Sequence, residues 1–105
     1  MTAMSRTEFT VTVVEEDVPL SLAELCRACQ VAEEQVRVWV VEGVLEPVGG
    51  TPPEWRFEGP ALRRARLALA LTRELEINPP GVALALDLLD EIAALRARLR
   101  RTGSA

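Results

Sequence analysis

Two short apolar stripes in tandem restrict this chain more than any other feature. Leu22, Leu25, Cys26 and Cys29 recur at i, i+3, i+4 and i+7, the spacing of one helix face. Val36, Trp39, Val40 and Gly43 repeat that spacing after a break at Val31 and Ala32. The pattern predicts one helix over 22–30 and a second over 33–42, joined as a helix-turn-helix. Ser21 directly precedes the first stripe and Glu24 follows three residues later. That is a capping box, in which the hydroxyl and the carboxylate satisfy free helix-start amides. Gly43 suits a helix C-cap because glycine tolerates positive φ.

The rest of the chain extends this into a mainly α fold. Aromatic residues make up only 4% of 105 residues against 49% hydrophobic, so the core must come from Leu, Val and Ala. Ala and Leu lead the helix propensity ranking. Phe9-Thr10-Val11-Thr12-Val13 alternates apolar and polar with β-branched residues, a strand signal ended by Glu15, Glu16, Asp17 and Pro19. Gly49-Gly50-Thr51-Pro52-Pro53 reads as a loop, and Trp55-Arg56-Phe57 as a short strand-like piece after it. Gly59 and Pro60 open a third helix, with Leu62, Ala65, Leu69 and Thr72 along one side. Asn78-Pro79-Pro80-Gly81 is read as its stop. A fourth helix over 82–101 would be about 30 Å long, rivalling the diameter of the domain. The expected organisation is one domain over 1–105. Within it, 8–59 form a strand, helix-turn-helix and small wing, 60–101 two further helices, and 102–105 a frayed tail.

Catalytic chemistry finds little to work with. The chain has no histidine and no tyrosine, so the commonest general acid–base group and the commonest metal ligand are both missing. Cys26-Arg27-Ala28-Cys29 is a C-x-x-C, but zinc needs about four ligands and no second pair exists. Both thiols share the apolar face of Leu22 and Leu25, where a free cysteine behaves as a small hydrophobe. Gly49-Gly50 leads into prolines, not into a phosphate-binding helix start. No enzymatic activity, cofactor or metal is expected. Residues 1–17 lack the basic start and apolar run of a signal peptide, and no apolar stretch approaches the roughly 20 residues of a membrane span. The reading is a soluble, cytoplasmic protein.

Charge is divided along the chain. Residues 1–59 hold four Arg against eleven carboxylates, a net of −7, whereas 60–105 hold eight Arg against five carboxylates, a net of +3. The stretch 20–47, with Trp55-Arg56-Phe57 and Leu62-Arg63-Arg64 after it, resembles the DNA-binding head of MerR-type regulators. Arg37, Trp39, Glu42-Gly43 and Arg56-Phe57 fall at places that family uses. The resemblance makes Arg37 and Arg56 candidate nucleic-acid contacts. Electrostatics oppose this, because DNA affinity rests largely on neutralising phosphates, commonly about six to ten of them. With Val36, Trp39 and Val40 turned inward, the second helix shows Glu34, Gln35, Arg37, Val38 and Val41 outward. Exposed valines beside carboxylates suit a protein surface better than a major groove, unless the N-terminal strand or fourth helix covers them.

The fourth helix is the other candidate face. Asp87, Asp90 and Glu91 lie on one stripe, and the like-charge pair Asp87–Glu91 at i,i+4 costs a few tenths of a kcal/mol that a basic partner would relieve. Dipole matching is the alternative account, with Arg96, Arg98, Arg100 and Arg101 at the helix end. Val82, Leu86, Leu89, Ile92 and Leu99 form an apolar seam near heptad spacing, fit to pack on the head or to pair two copies antiparallel.

The run from Asn78-Pro79-Pro80-Gly81-Val82-Ala83 to Asp87-Leu88-Leu89-Asp90-Glu91-Ile92-Ala93 resembles the CbpM family of chaperone modulators. So do the Thr10-Val11-Thr12-Val13 strand and the Trp55-Arg56-Phe57 wing, and the likeness spans roughly 10–101. The resemblance implies a protein that binds the J-domain of a CbpA-type, DnaJ-like co-chaperone. It implies that this blocks stimulation of an Hsp70, to which the J-domain offers a basic helix. The contact residues expected here are Asp87, Asp90 and Glu91, with Leu84 and Leu88 as apolar neighbours. DNA is an unfavoured partner, and a homodimer through the last helix is a further expectation.

Overall fold

The structure is a computed structural model that describes residues 18–103. The strand expected over 9–13 lies outside the described residues. Helix α1 (Leu22–Cys29) begins at the capping box: Ser21 Oγ accepts the Glu24 N–H at 3.1 Å, and Ser21 N–H donates to Glu24 Oε1 at 2.8 Å. It ends at Gln30, whose left-handed backbone (φ 59°) returns its N–H to the Cys26 carbonyl. Helix α2 (Glu33–Val41) follows after a three-residue turn. Past it, Gly43 takes φ +84°, and the N–H groups of Val44 and Leu45 both turn back to the Trp39 carbonyl, at 2.7 and 3.3 Å. That turn drives Val44 and Leu45 into the core.

The wing is a hairpin closed by Val48 and Arg56, which exchange both backbone hydrogen bonds at 2.9 and 2.8 Å. Its tip is a single 3₁₀ turn over Pro52–Glu54. Strand β1 (Leu20–Ser21) pairs antiparallel with β2 (Arg56–Phe57), Leu20 opposite Phe57 and Ser21 opposite Arg56. Buried Phe57 anchors the wing to the head and meets Trp55 edge to face, centroids 6.0 Å apart.

Helix α3 (Ala61–Leu75) buries Leu62, Ala65 and Ala68. The expected side holds for Leu62 and Ala65; Leu69 and Thr72 lie at its margin, half-buried, and Thr72 Oγ1 donates to the Ala68 carbonyl at 2.9 Å. The stop expected at Asn78-Pro79-Pro80-Gly81 is placed differently. Helix α3 ends at Glu76, in left-handed backbone at φ 55°. Asn78-Pro79-Pro80 instead starts α4 (Pro79–Arg101), three residues before the expected position. A proline in the first helical turn gives up an N–H that has no intrahelical partner there, and Asn78 Oδ1 accepts the Gly81 N–H at 2.8 Å.

All fifteen buried apolar residues of the described chain form one cluster, centred on Trp39, Phe57, Leu25 and Leu62. Only Val82, Ala83 and Leu86 of α4 enter it. From Asp87 onward α4 is exposed almost throughout.

Candidate protein-binding face

The first two turns of α4 are seated on the head by Val82 and Leu86. The turn that continues from them is therefore held at a defined place on the surface. Leu84, Asp87, Leu88 and Glu91 fall on one helical face by their spacing, and Asp90 stands beside it. Leu84 and Leu88 are 61% and 55% exposed, unusual for leucines on a helix anchored by its neighbours. The five residues expected to contact a partner thus form one continuous patch. Leu89, Ile92 and Leu99 are exposed as well. The apolar seam expected along α4 accordingly divides: Val82 and Leu86 pack on the head, and the rest faces outward.

A residue that sequence reasoning does not single out organises this patch. Arg64 on α3 donates Nε–H to the Val44 carbonyl, NH1 to Asp90 Oδ2 at 2.6 Å and NH2 to Asp87 Oδ1 at 3.0 Å. Its side chain is 19% exposed, while those of Asp87 and Asp90 are 70% and 72% exposed. The guanidinium therefore neutralises part of the stripe from beneath. It also relieves the repulsion between Asp87 and Glu91. Beside Arg64 opens a groove of about 390 Å³, lined by Glu46, Glu58, Pro60, Asp87 and Asp90 among others. Four carboxylates on its walls face a single guanidinium, so the groove is electronegative. Leu62-Arg63-Arg64 is visible as a motif, but the partners of Arg64 stand 20, 23 and 26 residues away. No local pattern links them.

The helix-turn-helix face offers little to a polyanion. Arg37 pairs with Glu33 at 3.5 Å along α2, and Arg56 donates to the Trp55 carbonyl at 2.7 Å. Arg37 thus rests beside Glu33, and Arg56 is turned onto its own strand. Val38 is exposed and Val41 is 81% exposed, so α4 does not cover them. Cys26 and Cys29 are buried free thiols, and burial pushes both thiol pKa values up, away from the reactive thiolate. They are core packing, as their place on the apolar face indicates.

Comparison with known proteins bears on both halves of the molecule. Residues 20–103 match the family described as MerR HTH family regulatory protein. The chaperone modulatory protein CbpM of Coxiella burnetii (strain Dugway 5J108-111) is 42% identical over 84% of this chain and 83% of its own length. The chain belongs to the CbpM family. CbpM proteins of Pseudomonas putida (strain W619) and Pseudomonas entomophila (strain L48) are 43% and 42% identical, each over 75% of this chain and 78% of their own. The CbpM-like motif at Pro80-Gly81 also has a steric basis in this chain. A Cβ on Gly81 would stand 2.7 Å from Ile77 Cγ2 and 3.0 Å from Asn78 Oδ1, against the residues that cap α4.

Proposed function

We propose that this chain is a chaperone modulator that binds the J-domain of a DnaJ-like, CbpA-type co-chaperone and inhibits its stimulation of an Hsp70. It acts as a soluble cytoplasmic adaptor, with no catalytic step and no cofactor. The observation that carries the reading is the patch on α4: Asp87, Asp90 and Glu91 beside exposed Leu84 and Leu88, next to a groove walled by carboxylates. Such a surface suits a basic helix with apolar flanks, and the relatives are named as chaperone modulators. Opposed surface potentials steer encounter and fix register. Exposed leucines add the apolar contact that charge alone lacks.

Charge reversal at Asp87 or Asp90 would also unseat Arg64, so the sharper variants lie beside them. Glu91→Arg and Leu88→Asp change exposed side chains and should leave the thermal midpoint within a few degrees of wild type. Each should weaken J-domain binding at least tenfold in calorimetry and restore J-domain-stimulated Hsp70 ATPase. Unchanged affinity in both would remove α4 as the contact face. The second reading is a MerR-type DNA regulator, favoured by the match to a regulatory helix-turn-helix family and by Arg56 on the wing. The net −7 of 1–59 works against it. A mobility shift saturating on one sequence at nanomolar protein would establish that reading in place of the first. A second copy of the chain is the proposed cover for Leu89, Ile92 and Leu99.

A further inference from the structure

We propose that Arg64 is the positioning residue of the α4 face, holding Asp87 and Asp90 by one oxygen each so that the other oxygen of each is presented to a partner's cation. The inference rests on the J-domain reading and assigns a role to a residue that need not touch the partner. Arg64 is anchored at its base. Its Nε donates to the Val44 carbonyl, and Val44 is itself fixed by its buried side chain and by its N–H bond to the Trp39 carbonyl at 2.7 Å. The planar fork then points its two terminal nitrogens at carboxylates one helical turn apart, at 2.6 and 3.0 Å. An ionised carboxylate offers about four acceptor sites on two oxygens. Arg64 takes one oxygen from each, and the two side chains are more than two-thirds exposed, which gives a partner access to them. Without the fork, two like charges on adjacent turns repel and turn to rotamers that no longer converge.

Positioning and simple charge make opposite predictions. Removing a cation from a groove walled by four carboxylates should strengthen attraction for a basic partner if charge alone governs. If Arg64 positions the acceptors, its loss should weaken binding. The test titrates the J-domain of a CbpA-type co-chaperone into the full chain and its variants by calorimetry. Arg64→Met should weaken binding roughly tenfold, and Arg64→Lys, which keeps the charge but loses the fork, should recover only part of it. In an Asp87→Asn/Asp90→Asn background, Arg64→Met should have no further effect. Equal or tighter binding by Arg64→Met, or full additivity in that cycle, overturns the proposal. Should Arg64→Met fail to fold, Arg64→Lys and its own cycle with the Asn pair decide in the same way. A second readout needs no partner. Three-bond couplings that report χ1 of Asp87 and Asp90 in the free wild-type chain should fit one rotamer at each residue, and should average over several in Arg64→Lys. Couplings that do not change overturn positioning. A wild-type chain that ignores the J-domain overturns the functional reading instead, and the couplings then decide Arg64 alone.

Discussion

Ser21 and Glu24 show how much a pair of residues settles alone. Their reciprocal hydrogen bonds follow from spacing, and the Ser21 backbone N–H, first, then its hydroxyl hold the Glu24 carboxyl below its ordinary value of 4.5. Folding therefore favours the ionised form. The stabilisation is present above pH 4.5, the unfolded value, and is lost as pH falls through the depressed folded value. Glu24→Gln removes the charge, so it should lower the urea midpoint at pH 7 and flatten its decline as pH falls through the carboxylate range. Ser21→Ala should cost about 1 kcal/mol at pH 7 in the same titration. Residues such as Arg64 are of a different kind. Nothing adjacent to Arg64 in sequence says that Val44, Asp87 and Asp90 converge on it, because the chain must fold before those acceptors exist as a set.

At the scale of elements, the helices were legible and their connections less so. Apolar periodicity located α1 and α2 to within a residue or two, since a buried stripe at 3.6-residue spacing has few other solutions. The same logic separated α3 from α4 but misplaced the boundary between them. Asn78-Pro79-Pro80 is compatible with an end or a beginning, and the preceding Glu76, a non-glycine residue in left-handed backbone, gives no stop signal of its own. The wing depends on one position in particular. Gly49 takes φ +120°, and a Cβ there would lie 2.6 Å from the Glu54 carbonyl oxygen, inside the hairpin that Val48 and Arg56 close. Gly49→Ala should destabilise the chain by roughly 1–3 kcal/mol in urea unfolding. It should also speed amide exchange at Val48 and Arg56 before the helices are affected.

For the whole molecule, the division of charge carries the meaning. Residues 60–105 have net +3, yet the part of α4 nearest the head is acidic and its basic residues gather at the far end. Two copies of α4 laid antiparallel would bring Asp87 and Glu91 of one near Arg98 and Arg101 of the other, with Leu89, Ile92 and Leu99 between them. Sedimentation equilibrium should then show a dimer at micromolar concentration that Ile92→Glu converts to monomer. A wild-type chain that is monomeric at 100-fold higher concentration than J-domain binding requires would remove dimerisation from the account of function.

Local spacing and propensity in the chain were sufficient for a helical fold with a capped helix-turn-helix, for thiols that serve as packing and for an acidic stripe on the last helix. Each of these is a property of residues within one or two turns of each other. Where α4 leaves the head, which of its leucines stay wet, and which cation sits under its carboxylates were set by contacts across 20 to 26 residues. Those contacts arise only when α2, α3 and α4 pack around Trp39 and Leu86, because distance along the chain carries no information about distance in space until the core has formed.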